Sequence, residues 1–222
     1  MLFRSQNEKS INTLRGMNVP YTEVKDRNTT FAALDYLEAQ YAAMVRLNAQ
    51  GKYDDADKAF PYQTIVFESI SHYSDLVQED LTNRNAKPMD IQQWGRLASH
   101  LRTIQNRLRA MDVHSIFTSL DQTNEDGTIG GPLISGQMKV KMPSACDYIG
   151  YFEAVTVSKK TTYNTHWRQY GKYLARVRQS PEHAATVGEF PTVIPDFHFD
   201  KVKKFIGIEE EVALYGDRKS VV

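Results

Sequence analysis

Residues 62–71 read YQTIVFESIS, and the fold turns on how they are read. Four residues in succession, Thr64 to Phe67, suit a strand buried on both faces, and the run closes on a carboxylate and a hydroxyl, Glu68 and Ser69. Such a strand belongs inside a parallel sheet, which needs helices as crossovers. The flanking sequence provides them. Upstream, FAALDYLEAQYAAMVRLNAQ (31–50) sets Phe31, Leu34, Leu37, Tyr41, Met44 and Val45 at helical spacing. Asn28 or Thr29 is its expected cap and Gly51 its expected stop. Downstream, SISHYSDLVQEDL (69–81) suits a second helix.

Working outward, MLF (1–3) and VPYTEV (19–24) read as short strands, and KYDDAD (52–57) as a polar turn. IQQWGRLASHLRTIQNRLRAM (91–111) carries the strongest periodicity: Ile91, Trp94, Leu97, Leu101, Ile104, Leu108 and Met111 line one face. VHSIFTSL (113–120) reads as a strand, and residues 121–147 as a long Gly-rich polar segment. YIGYFEAVTV (148–157) and YLARVRQ (173–179) are strand candidates separated by a polar turn, KKTTYNTH. A helical stretch over 200–216 follows a tail rich in Pro and Gly. Strand, helix, buried strand, long helix and buried strand in alternation predict an α/β fold in three layers, with an antiparallel extension at one edge. The expected division is a core over 1–180 and a C-terminal extension over 181–222.

Composition narrows the function classes. Over 222 residues, Lys+Arg and Asp+Glu balance at 27 each, so no global field draws the chain to nucleic acid or membrane, and any such contact must be local. The single cysteine, Cys146, excludes an internal disulfide framework and fits a reducing cytoplasm. No apolar run approaches a membrane span. The six histidines are scattered without ligand spacing.

Taken in order, these stretches resemble the RecA-like P-loop ATPases of phages, the recombination type related to single-strand annealing. YQTIVFESIS is similar to their magnesium-holding strand and VHSIFTSLDQ to their sensor strand. ISGQMKVKMPSACDYIGYF resembles a glycine, proline, aspartate and tyrosine segment, and ARVRQS a paired basic finger. The resemblance runs over roughly residues 1 to 180. It implies that Glu68 holds Mg2+ and that Ser69 and Ser119 lie beside ATP. It places Glu8, or Gln6 in an alternative alignment, near the attacking water, and Arg176 and Arg178 as fingers acting on a neighbouring subunit's nucleotide. It further implies homo-oligomers on single-stranded DNA, contacted by Lys139 and Lys141, which share a face if extended.

One part of the pattern is missing. A phosphate-binding loop reads G-x-x-x-x-G-K-[ST]. Here Gly51-Lys52 and Gly171-Lys172 are both followed by tyrosine. MLFRS is similar to the strand that follows that loop and its helix, so the expectation is a core that begins downstream of it, truncated or degenerate. Hydrolysis of ATP then requires a loop from elsewhere, such as an intact ATPase partner. The alternatives are a non-enzymatic binding protein or inhibitor using the same assembly surfaces, and a DNA-binding module independent of nucleotide. Simpler roles compete at single residues: Trp94 as core, Trp167 and Tyr170 as loop packing rather than base stacking, and Arg102, Arg107 and Arg109 as solvated charge.

Overall fold

The computed structural model describes residues 1–5, 20–83, 88–122, 130–198 and 200–206. The chain divides into two compact units, one of Met1–Asp121 with Pro132–Met142, the other of Gln122–Gly131 with Pro143–Val222. The expected boundary at residue 180 therefore lies inside the second unit.

The first unit is built on four parallel strands, β1 (Leu2–Ser5), β2 (Tyr21–Val24), β3 (Thr64–Glu68) and β4 (His114–Phe117), in the order β2-β1-β3-β4. The strand read as buried is thus interior: β1 pairs with one edge and β4 with the other. Ile65 and Phe67 of β3 are fully buried, and Phe67 stacks on its register partner Phe3 at 5.7 Å.

Between these strands run α1 (Arg27–Ala49), α2 (Tyr53–Ala59), α3 (Ile70–Leu81) and α4 (Ile91–Ala110). α1 starts one turn before the sequence suggests, because Asp26 is the cap. The Thr29 amide donates to Asp26 Oδ1 at 2.7 Å and the Asp26 amide to Thr29 Oγ1 at 3.1 Å, a reciprocal capping box. Asp90 and Gln93 make the same box for α4, at 2.8 Å in both directions. Leu97, Leu101, Ile104 and Leu108 are buried as the periodicity requires, whereas Ile91, at the helix start, is 87% exposed. The polar run after Gly51 is helical rather than a turn: α2 tucks Ala56 inward, and Phe60 follows it into the core edge-on to Tyr41.

The remaining elements are the two-residue strands β5 (Asp121–Gln122) and β6 (Gly131–Pro132), helix α5 (Met138–Ser144), and strands β7 (Tyr148–Ile149), β8 (Tyr151–Val157), β9 (Lys160–His166) and β10 (Arg176–Val177). After them come α6 (Pro181–Val187), β11 (Val193–Ile194), α7 (Asp200–Lys203) and a 3-10 turn over Lys204–Ile206. Instead of extending the parallel sheet, the antiparallel strands form sheets of their own, β11-β9-β8 and β10-β7. KKTTYNTH supplies β9, the full-length partner of β8. Trp167, Phe190, Ile194, Val202 and Phe205 form the core of the second unit. Among the described residues, no helix is long and apolar enough to cross a membrane.

Candidate nucleotide and metal site

Because β1 to β4 run parallel, their carboxyl ends lie along one edge of the sheet, the edge where ligands bind in open α/β folds. β3 ends there in Glu68, which is half-buried and whose carboxylate has no hydrogen bond or ion pair among the described residues. Ser69 follows across a cis peptide bond and occupies the N-cap position of α3. It is 5% exposed, makes no capping bond, and its Oγ is buried without a partner. A buried hydroxyl left unpaired costs stability, so this atom calls for a ligand or water.

The end of β4 is laced to the same place. The Thr118 amide donates to the Phe67 carbonyl at 3.1 Å, the Ile70 amide to the Thr118 carbonyl at 2.9 Å, and the Leu120 amide to Ser71 Oγ at 3.0 Å. Ser119 lies between these bonds and is exposed. The fold therefore brings Glu68, Ser69 and Ser119 to adjacent strand ends. The other edge of β4 pairs with no described strand.

The remaining expected residues are placed elsewhere. Glu8 and Gln6 lie outside the described residues. Arg176 and Arg178 belong to the second unit, and both reach the end of α5. Arg176 donates to the carbonyls of Pro143 at 2.7 Å and Cys146 at 3.2 Å, and Arg178 to that of Ser144 at 2.7 Å. Cations there complement the negative end of a helix. Lys139 and Lys141 sit on α5, not on an extended segment, and residues two apart on a helix point in nearly opposite directions. The helix forms because Met138 and Met142, four apart, are both buried. Lys141 Nζ donates to Gln137 Oε1 at 2.5 Å.

Long-range packing adds groups that the periodicity does not show. Arg107 of α4 binds Glu38 of α1 through two bonds of 2.7 Å and Asp35 through one of 2.5 Å, and lies over the Phe31 ring. The Glu38 hydrogen bonds raise its pKa above the usual arginine value. Arg107 is therefore held in an ion pair rather than offered to phosphates. His100 is buried on α4, where desolvation lowers its pKa to about 4. In the second unit a cleft of about 360 Å³ opens beside Trp167, Arg176 and Phe190. No group of three or more His, Cys, Asp or Glu among the described residues could hold a metal ion.

A family model described as an AAA domain matches residues 6–185, a span that runs through both compact units. No curated protein matches the chain. With a match over most of its length and a parallel sheet ending in a carboxylate and a hydroxyl, the chain belongs to the AAA domain family, whose fold is that of P-loop nucleotide-binding proteins.

Proposed function

We propose that this chain forms the Mg2+-holding part of a RecA-like, three-layer ATPase core that works on single-stranded DNA in recombination. It hydrolyses ATP only where a phosphate-binding loop completes the site. The observation that carries the reading is Glu68 with the unpaired Ser69 hydroxyl at the tip of an interior parallel strand. The family match supports it, because AAA P-loop proteins generally bind ATP with Mg2+.

The residues present fit the ion. Mg2+ takes one or two carboxylates, keeps several waters and completes its shell with phosphate oxygens. Glu68 would supply one carboxylate, and the buried Ser69 Oγ, which has no partner, would hydrogen-bond to the bound group. When bound, the ion neutralises charge on the phosphates. Ser119, exposed just after the next strand, would orient the nucleotide. A loop strand, whether from a preceding segment or another chain, would join at the edge of β4 that pairs with no described strand. Arg176 and Arg178 reach a neighbouring subunit's nucleotide only by releasing the α5 carbonyls, so their finger role includes a change of partner on assembly.

The test is the binding of a fluorescent ATP analogue, with Mg2+ and with EDTA, to the chain joined to a loop-bearing N-terminal half. Binding that depends on Mg2+ and weakens several-fold in Ser69→Ala supports the reading. Tight association with an intact ATPase, indifferent to Glu68→Gln and without nucleotide binding, would establish the non-enzymatic partner instead.

A further inference from the structure

The second unit carries a patch that the nucleotide reading does not use. Tyr151 of β8 and His166 of β9 are register partners on one face of the hairpin, with ring centroids 6.1 Å apart. The turn after Trp167 folds back over them. Tyr170 stacks on His166 at 3.9 Å and 14°, and Tyr173 stacks on Tyr151 at 4.0 Å and 10°. Tyr170 and Tyr173 lie side by side at 6.3 Å and 20°. Four rings thus make a two-layer tile, and its upper ring Tyr170 remains 43% exposed. The lower layer is fixed in turn, since Glu153 Oε2 lies 3.1 Å from His166 Nε2.

The charge of the stretch that carries this tile is one-sided. Between Glu153 and Glu182 the chain contains no Asp or Glu but six cations, Lys159, Lys160, Arg168, Lys172, Arg176 and Arg178, in a protein with no net charge. The acids that approach from elsewhere are Glu189, 3.8 Å from Arg168, and Asp147, 3.9 Å from Arg178. Lys159, Lys160 and Lys172 make no ion pair among the described residues. Lys172 Nζ stands 6.0 Å from the Tyr173 ring, beside the tile.

Near-coplanar rings, of which Tyr170 is exposed and Tyr173 half-buried, with Lys172 beside them and Lys159 and Lys160 at the far end of the same hairpin, match the two parts of a single-stranded nucleic acid, flat bases and regularly spaced phosphates. A duplex hides its bases, and an acidic peptide has no use for the ring faces. We infer that the Tyr170–Tyr173 tile and the lysines of the β8–β9 hairpin bind single-stranded nucleic acid by base stacking, without nucleotide. The inference rests on the single-strand part of the proposed function and moves the contact from Lys139 and Lys141 to this face.

The experiment is fluorescence anisotropy of labelled dT20 and rU20 with the full chain, without ATP, over a range of salt. Duplex DNA and heparin serve as competitors. Tyr170→Ala is expected to weaken binding roughly tenfold, the scale of one lost base stack, while Tyr170→Phe retains it. Lys172→Ala is expected to lower the salt slope by about one. This exposed change carries the test if Tyr170→Ala fails to fold. The dT20 and rU20 arms show whether the sugar matters. Binding lost in Lys139→Ala/Lys141→Ala but unchanged in Tyr170→Ala and Lys172→Ala would overturn the tile and keep the single-strand reading. Equal competition by heparin, or no binding to either strand, would overturn the inference, leaving the Mg2+ site to its own test.

Discussion

The hydroxyl of Tyr73 on α3 stands 2.6 Å from Nε2 of His100 on α4, with both side chains buried. Desolvation, with a smaller effect from Arg27, lowers the His100 pKa to about 4. The ring is therefore neutral at ordinary pH, and the bond to the tyrosine hydroxyl is one between two neutral groups. Desolvation also raises the Tyr73 pKa, so the hydroxyl stays protonated.

This pair predicts an acid-sensitive fold. Below pH 6.5 the unfolded histidine takes up a proton that the folded one refuses until about pH 4. The stability this group contributes is complete above 6.5 and falls with pH across that window, with a slope approaching about 1.4 kcal/mol per pH unit. Urea denaturation at pH 7.5, 6 and 5 should show a shallower loss in His100→Gln than in the wild type. Equal losses would mean that other groups set the acid limit.

Two glycines should respond to alanine with opposite signs. Gly95, inside α4, has open space where a Cβ would go, so Gly95→Ala should stabilise by about 0.5–1 kcal/mol. Gly136 has a φ of +71°, and its Cβ would come within 3.1 Å of the Trp94 ring. Gly136→Ala should destabilise by about 1–2 kcal/mol. Thermal melts of the two variants check both values.

The Arg107 bridge joins α1 to α4 with bidentate geometry, but Glu38 is partly and Asp35 largely exposed. The coupling in a double-mutant cycle of Arg107→Ala and Glu38→Ala should be about 0.5–1 kcal/mol and should shrink in high salt. A coupling near zero would make the bridge incidental to stability.

What the sequence showed follows from how far each signal reaches. α4 was legible because its apolar residues recur every three or four positions among polar ones, and β3 because it is a short apolar run. β9 was not. Tyr163 is its only large apolar residue, and its hairpin turns through Ser158 and Lys159 at φ of 50° and 68°, where Asn-Gly is the usual signal. Pairing with β8 and the 3.0 Å Thr156–Thr161 contact hold it instead. α5 was hidden because two buried methionines in a glycine-rich stretch are too few to reveal a period. Arg107 looked like solvated charge because its partner Glu38 lies 69 residues away. That Glu68, Ser69 and Ser119 lie at strand ends was legible from the strands themselves, whereas the roles expected of them came from the resemblance. The unpaired state of Ser69 Oγ and the engagement of Arg176 and Arg178 with α5 depend on packing that no local pattern encodes.

The most direct measurement is MgATP turnover by the chain alone and by the chain joined to a loop-bearing half, each as wild type and as Glu68→Gln. No turnover is expected from the chain alone, turnover once the loop is present, and its loss in Glu68→Gln. Turnover that survives Glu68→Gln, or that the chain achieves without a phosphate-binding loop, would contradict this expectation.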